Sequence, residues 1–220
     1  MKKSYHSLGE QLEAGIDEVA RGCLAGPVYS AAVIWPAELE PEDEWGEVFI
    51  KDSKKLSKKK REELRYYIEE NVIDFCVESS DNTHIDKVNI RNATFDTMHK
   101  AIRGLSVEPD FLLVDGHVFR DYYNEKNEKL PHTCVISGDN TYIPIACASI
   151  LAKVYHDEYI EALCDENENY NIYGWTKNMC YGTKQHLDAI KDYGITPLHR
   201  STFGICTFAD KNPAFSWKSK

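Results

Sequence analysis

Residues 14–22 read A-G-I-D-E-V-A-R-G. Two adjacent carboxylates, Asp17 and Glu18, stand between the apolar Ile16 and Val19 in a segment that otherwise reads as buried. Adjacent residues of a strand point to opposite faces, so the two acids share one site only where the strand ends or bulges, or else they serve two separate ions. The rest of the chain supplies the sheet that such a strand would join. Val28 to Trp35 is an apolar run that follows the turn Ala25-Gly26-Pro27, as expected of a buried strand. F-L-L-V-D-G (111–116) and T-C-V-I-S-G-D (133–139) are two more short apolar runs, each closed by a Gly and an Asp.

Helical signals separate these strands. Ser57 is a suitable N-cap for a helix over 58–70. Residues 72–78 alternate Ile73, Phe75, Val77 against Asp74, Cys76, Glu78, which predicts a half-buried strand. Met98, Ala101, Ile102 and Leu105 have helical spacing, and Gly104 marks the end of that helix. Residues 145–164 put Ala148, Leu151, Ala152, Tyr155, Tyr159 and Leu163 on one helical face. Thr183 caps a last helix over 184–193, which Gly194 and Pro197 stop. Strands alternating with helices after an initial hairpin predict an α/β layer with a mixed sheet, followed by a helical C-terminal part from about residue 165.

The 220 residues suffice for one substantial domain, and 42% hydrophobic with 28% charged residues predict a soluble globular protein. No apolar run approaches the ~20 residues of a membrane span, and Met-Lys-Lys leads into Ser-Tyr-His, not a secretory apolar region. The seven cysteines include no C-x-x-C pair, so free thiols in a reducing, cytoplasmic (or nuclear) compartment are expected rather than a zinc site or disulfide framework. A net charge of −10 argues against indiscriminate polyanion binding. Charge is uneven, however. Residues 38–47 hold six acids, read as part of a surface loop over 37–47, and residues 51–61 hold seven bases. Those bases form either a local basic face or the solvated first turn of a helix.

Asp17, Asp115 and Asp139 share a context, each at or just past the C-terminal end of an apolar run. Functional groups of open α/β sheets gather at the carboxyl ends of parallel strands. One Asp after a strand is commonly just a turn or helix cap. Several acids delivered to one place repel each other and lose hydration, which demands a positive counter-charge. All-oxygen ligation suits Mg²⁺ or Mn²⁺. With two such ions the matching chemistry is phosphoryl transfer. The small residues of Val19-Ala20-Arg21-Gly22 would let backbone N–H groups approach a sugar–phosphate.

I-D-E-V-A-R-G-C-L-A-G-P-V resembles the opening motif of the ribonuclease HII (type 2 ribonuclease H) family. D-S-K-K-L-S (52–57), V-N-I-R-N-A-T (88–94), L-L-V-D-G (112–116), S-G-D (137–139), A-S-I-L-A-K-V (148–154), Y-G-T-K-Q-H-L (181–187) and G-I-T-P-L-H-R-S-T-F (194–203) follow that family's pattern in order, over about residues 12–205. The resemblance implies a ribonuclease H-like five-stranded mixed sheet flanked by helices. It implies a catalytic core over 1–165 with a small helical extension over 166–220. It implies cleavage of the RNA strand of RNA–DNA hybrids and nicking 5′ of ribonucleotides embedded in duplex DNA, by two-metal-ion hydrolysis that leaves 3′-hydroxyl and 5′-phosphate ends. Asp17, Glu18, Asp115 and Asp139 match the family's catalytic metal ligands. By resemblance Asp17 bridges two Mg²⁺ or Mn²⁺ ions, Asp139 joins it on the nucleophile side, and Glu18 and Asp115 serve the leaving-group side. Ala20, Arg21 and Gly22 match a Gly-Arg-Gly segment that reads the ribose 2′-hydroxyl through backbone groups. Tyr181 matches a tyrosine that stacks on the sugar after the ribonucleotide. Lys54, Lys153 and Arg200 fall in family-like stretches and are expected at phosphates.

The chain departs from this pattern in two places. Ala20 replaces a glycine, at a cost of about 1 kcal/mol if the position needs φ > 0. Asn178-Met179-Cys180 replaces His-Lys-Gly before Tyr181, removing a positive charge and a hinge, which bears on junction selectivity. The acidic loop is also longer than the family pattern leads one to expect. N-P-A-F-S-W-K-S-K lacks a clamp-binding motif, and a monomer is expected. The alternative is a non-catalytic or weakened hybrid-binding module with altered ribonucleotide recognition, against which the retention of all four acids speaks. A phosphatase for small phosphates fits the Arg21 loop and Tyr181 less well. The related type 3 family carries an extra N-terminal domain, for which about 12 residues leave no room.

Overall fold

The computed structural model describes residues 2, 5, 11–36, 38, 39, 50 and 53–217. Apart from Glu38 and Leu39, the acidic loop read over 37–47 lies outside the described residues. So do Lys51 and Asp52 of the basic run and residues 218–220 of the C-terminal stretch.

The described chain forms β1 (Glu13–Val19), β2 (Val28–Ile34), α1 (Lys58–Asn71), β3 (Asp74–Ser80), α2 (Asn82–Val88), α3 (Ile90–Arg103), β4 (Phe111–Asp115), β5 (His132–Val135), α4 (Ile143–Glu166), α5 (Trp175–Asn178) and α6 (Lys184–Tyr193). The sheet has five strands in the order β3-β2-β1-β4-β5. β1 and β2 are antiparallel, whereas β4 is parallel to both β1 and β5. The mixed α/β sheet expected from the sequence is the one observed. A parallel neighbour needs a long crossover, and the helices between β2 and β4 provide it.

The chain divides into two compact units. The first comprises Met1–Val19, Tyr29–Ser79 and Thr94–Tyr155. Period-two alternation sorts its strand residues onto two faces. Ala14, Ile16, Ala32, Ile34, Leu112 and Val114 pack with Phe95, Met98, Ala101 and Ile102 of α3. Ala31 and Val33 pack with Leu64 and Ile68 of α1 and with Ile143 to Val154 of α4. Gly15 lies on this second face, and a Cβ there would sit 2.2 Å from the carbonyl carbon of Pro144. Only glycine lets the start of α4 come so close to β1. Ser57 caps α1 as expected, its hydroxyl accepting the Lys60 N–H.

The second unit comprises Ala20–Val28, Ser80–Ala93 and His156–Lys220. Val28, Ile85 and Ala93 form a small core with Val88, Ile90 and Phe203 against it. Thr183 caps α6 through the His186 N–H, and Gly194 follows the helix with φ +81°.

Several boundaries differ from expectation. β3 begins at Asp74 instead of residue 72, and α4 runs from Ile143 to Glu166, not 145–164. α2 was not foreseen. β5 stops at Val135, and Ser137 turns left-handed (φ +55°) before a 3-10 turn over Gly138–Asn140. All seven cysteines are free thiols. Among the described residues, no helix is long and apolar enough to cross a membrane.

Candidate active site

The four acids belong to the first unit. Parallel pairing of β1 with β4 runs to Ile16–Val114. Asp17 and Asp115 come next on these neighbouring strands, and their side chains leave the same face of the sheet. Pairing with β2 continues regularly through Asp17–Ala31, Glu18–Ser30 and Val19–Tyr29. The strand therefore neither breaks nor bulges at the acid pair, and alternation sends Glu18 to the face of Ile16. Asp139 is not at a strand end but in the 3-10 turn beyond β5.

Specific donors hold Asp17, Asp115 and Asp139. Asp17 is 5% exposed. Its Oδ1 accepts the Glu18 N–H at 2.7 Å, and the Ser149 hydroxyl of α4 also bonds its carboxylate. Ser149 Oγ lies 2.9 Å from Ser53 Oγ, so the 3-10 turn Ser53–Lys55 is tied to the same acid. Asp115 Oδ1 accepts the Gly138 N–H at 2.7 Å, and a Cβ on Gly138 would sit 2.6 Å from Ile145 Cδ1. The absence of a side chain at Gly138 thus lets the turn bearing Asp139 dock onto β4. Asp139 Oδ1 accepts the Asn140 amide at 2.9 Å, and the Lys55 ammonium donates to Asn140 Oδ1.

Electrostatics single out Asp17. Burial, then the charges of Glu18 and Asp115, push its carboxyl well above the usual carboxylate range, against the Ser149 and Glu18 N–H bonds that lower it. Among the described residues, no three His, Cys, Asp or Glu side chains close into a ready-made metal cage. The oxygen-only chemistry nevertheless fits a hard cation, because a buried carboxylate beside two further acids is stabilised by a positive charge. Of the lysines expected at phosphates, Lys54 is exposed in the Ser53–Lys55 turn and Lys153 is half-buried on α4.

The recognition candidates belong to the second unit. Ala20 has φ +70° and is buried, so the positive-φ backbone suspected from the sequence is present on a non-glycine residue. Arg21 and Gly22 are exposed, and the Ala20 carbonyl accepts the Cys23 N–H to close the turn. Tyr181 lies against this loop: Cys23 bridges to Tyr181, and a Cβ on Gly22 would stand 3.8 Å from Tyr181 Cε1. Tyr181 remains 38% exposed, and burial of its hydroxyl end pushes the phenol upward. Met179 (φ +47°) and Cys180 (φ +65°) precede it, so two consecutive non-glycine residues are left-handed.

Arg200 departs from expectation. It is 0% exposed. Its guanidinium donates to the carbonyls of Arg21 (2.9 Å), Gly26 (3.0 Å) and Pro27 (3.0 Å). Its three hydrogen bonds all end on backbone carbonyls, and its guanidinium lies 5.2 Å over the Phe203 ring, so it staples the 21–27 loop instead of reaching a phosphate. The sequence reading also passed over Ser53, Ser149 and Asn140, and over the buried pair His186 and His199 behind Tyr181. For Ser53, Ser149, His186 and His199 the signal was position within the quoted motifs; Asn140 stands just past one.

Comparison with known proteins gives the chain a family. The family model described as ribonuclease HII matches residues 14–206. The ribonuclease HII of Parabacteroides distasonis is 47% identical over 89% of this chain and 91% of its own. That of Bacteroides thetaiotaomicron is 45% identical over 88% and 90%. Among solved structures, ribonuclease H2 from Pyrococcus horikoshii superposes with a TM-score of 0.68 at 23% identity, over 89% of this chain and 95% of that one, a likeness of fold. The ribonuclease HII of Archaeoglobus fulgidus, solved in complex with PCNA, gives 0.66 at 26% identity, over 86% and 92%. With the matched model spanning both the strand acids and the Tyr181 segment, the chain belongs to the ribonuclease HII family.

Proposed function

We propose that this ribonuclease cuts the RNA strand of RNA–DNA hybrids and nicks duplex DNA on the 5′ side of an embedded ribonucleotide, leaving 3′-hydroxyl and 5′-phosphate ends. The observation that carries the reading is the buried Asp17 standing in register with Asp115 where the parallel β1–β4 pairing ends. Asp17, Asp115 and Asp139 would hold the Mg²⁺ or Mn²⁺ ions, joined at the strand end by Glu18, which leaves the other face but stands near enough for its charge to act on Asp17. Bound divalent cations supply Lewis acidity to phosphodiester hydrolysis. The chain's own residues prepare the site. Ser149 and the Glu18 N–H fix the rotamer of Asp17, and the Gly138 N–H fixes Asp115. The exposed backbone at Arg21 and Gly22 is free of side-chain cover at glycine. It offers backbone N–H groups and the Gly22 carbonyl to a 2′-hydroxyl, the one group that separates RNA from DNA at a given site. Tyr181 presents an apolar ring face to the neighbouring sugar. Lys54 and Lys153 are proposed phosphate contacts. Arg200 acts one step back, by shaping the loop.

The test is a nicking assay with Mg²⁺ or Mn²⁺ on a duplex carrying one ribonucleotide, beside a long hybrid and an all-DNA control. Cuts confined to the RNA-containing substrates, with the ribonucleotide at the 5′ end of the downstream product, are expected. Binding without any cut would instead support the hybrid-binding module.

A further inference from the structure

Behind Tyr181 lies a hydrogen-bonded chain that the proposed chemistry does not use. The Thr196 N–H donates to His199 Nδ1 at 2.9 Å, and the Thr196 hydroxyl lies 2.9 Å from the same nitrogen. His199 Nδ1 is thereby an acceptor, and the ring's proton sits on Nε2. That nitrogen faces His186 Nε2 at 3.0 Å, which also accepts the Trp175 indole N–H at 3.1 Å. His186 Nε2 is thus unprotonated and its proton sits on Nδ1, which donates to the Tyr181 carbonyl at 3.1 Å. The partners leave each ring one neutral tautomer. Both histidines are buried, packed edge-on against Tyr173 and close to Trp175. Burial pushes His199 down to about 3, with the facing His186 adding to the effect, and burial lowers His186 as well.

The carbonyl at the end of this chain belongs to a strained segment. Met179 and Cys180 hold φ of +47° and +65°, a conformation that costs an L-residue free energy and persists only where the surroundings over-determine it. The Thr183 N–H (2.8 Å) and His186 Nδ1–H are the two donors on the Tyr181 carbonyl. The N–H comes from a residue two positions along the chain, whereas His186 is buried in the first turn of α6.

We propose that His186, oriented by His199, is a positioning residue that clamps the Tyr181 backbone and so aims its ring at the sugar beside the ribonucleotide. This rests on the reading of Tyr181 as a substrate contact. Two isosteres separate the clamp from the core. In H186N the amide stands near the Nδ1 position, which keeps a donor for the Tyr181 carbonyl and abandons Trp175 and His199. In H186Q the amide stands near the Nε2 position, which keeps the core contacts and abandons the carbonyl. Full-length protein with Mg²⁺ is assayed for kcat/KM on a duplex with one ribonucleotide, and its melting temperature is measured.

The expected result is an inversion. H186Q melts above H186N yet cleaves less well, by about five- to tenfold, the worth of one buried hydrogen bond. If activity and melting rank the two variants the same way, the histidine is merely structural and the clamp is refuted. Should both variants fail to fold, the wild type still decides: nitrogen-15 NMR must show His186 protonated at Nδ1 and His199 at Nε2, and the opposite tautomer at either overturns the relay. Y181A distinguishes the two failures. A normally active Y181A removes the reading of Tyr181 and the proposal with it. An impaired Y181A beside an unaffected H186Q removes the clamp alone.

Discussion

Replacing Arg200 discriminates sharply between a nucleic-acid contact and a buried staple. Three guanidinium bonds, at 2.9, 3.0 and 3.0 Å, end on the carbonyls of Arg21, Gly26 and Pro27. Bonds from a charged donor contribute roughly 1.5–3 kcal/mol each. They are not additive, and removing the guanidinium also removes its own desolvation. Each abandoned buried carbonyl costs about 1–3 kcal/mol unless water reaches it. A net loss of about 3–5 kcal/mol follows for R200A, at the upper end for single substitutions. For a chain of this size each kcal/mol moves the melting temperature by about 2–4 °C, so a fall of about 6–20 °C is expected. R200K falls less, because one ammonium can serve one or two of the carbonyls and lacks the planar fork. The assays are thermal melting and the salt dependence of hybrid binding. A phosphate contact would leave the melting temperature alone and lower the salt slope by about one. A variant that melts within about 1 °C of wild type and shows that lowered slope would refute the staple.

Four further outcomes are expected. D17N keeps the fold and, in chelator, melts above wild type, because the amide removes a charge that burial, Glu18 and Asp115 all disfavour; its cleavage falls by orders of magnitude, and near-normal turnover would remove Asp17 from the site. A20G relieves a left-handed alanine worth about 1–2 kcal/mol and loses a buried methyl worth about 0.8 kcal/mol, so stability changes little and nicking is equal or higher; abolished cleavage would contradict this account of the loop. G15A puts a methyl 2.2–2.4 Å from the Pro144 carbonyl carbon and the Ile145 nitrogen; soluble, wild-type-like melting would disprove that contact. In the D17N background, which removes the opposite-signed contribution of the raised Asp17, stability is full above pH 6.5, where unfolded and folded His199 are both neutral. It falls as pH drops toward 3, because only the unfolded state takes up the proton, and this amounts to a few kcal/mol at most; a flat denaturation midpoint from pH 7 to 4 would contradict it.

The sequence pattern foretold these elements unevenly, for physical reasons. β2 and β4 are short apolar runs, β1 is apolar and small apart from its acids, and α1 and α6 carry caps that local chemistry dictates. α2 has neither a long apolar stripe nor a strong propensity. Its start depends on Asp81 accepting the His84 N–H, and its Asn82 amide bonds the carbonyls of Pro197 and His199, more than a hundred residues on. β5 ends early because Ser137 turns left-handed, which no alternation pattern encodes. At the candidate site, the acids were legible as residue types in or just past apolar runs, because a cluster of carboxylates has few structural uses. The Ser53–Ser149–Asp17 connection, the His186–His199 pair and the three carbonyls beneath Arg200 were not legible. Each joins residues distant in the chain, and an arginine in sequence carries only its charge and not its burial.

Register resolves the adjacent acids of the opening segment. Because β1 keeps its pairing with β2 through Val19, Asp17 and Glu18 leave opposite faces, and the carboxylate beside Asp17 on its own face is Asp115, from the next strand. β1 thus delivers one buried acid to the α4 side of the sheet, where Ser149 and a backbone N–H restrain it, and one half-buried acid to the other side. Folding alone gains nothing from that arrangement, since burial and like charges both oppose the ionised Asp17. The carboxylate is therefore under-compensated in a site whose donors are already oriented, and a divalent cation bound there would recover the lost electrostatic free energy as the site became competent. The same reasoning makes cation binding and thermal stability rise together in wild type and separate in D17N. If added Mg²⁺ raised the melting temperature of D17N as much as that of wild type, the cation would be binding somewhere that Asp17 does not reach.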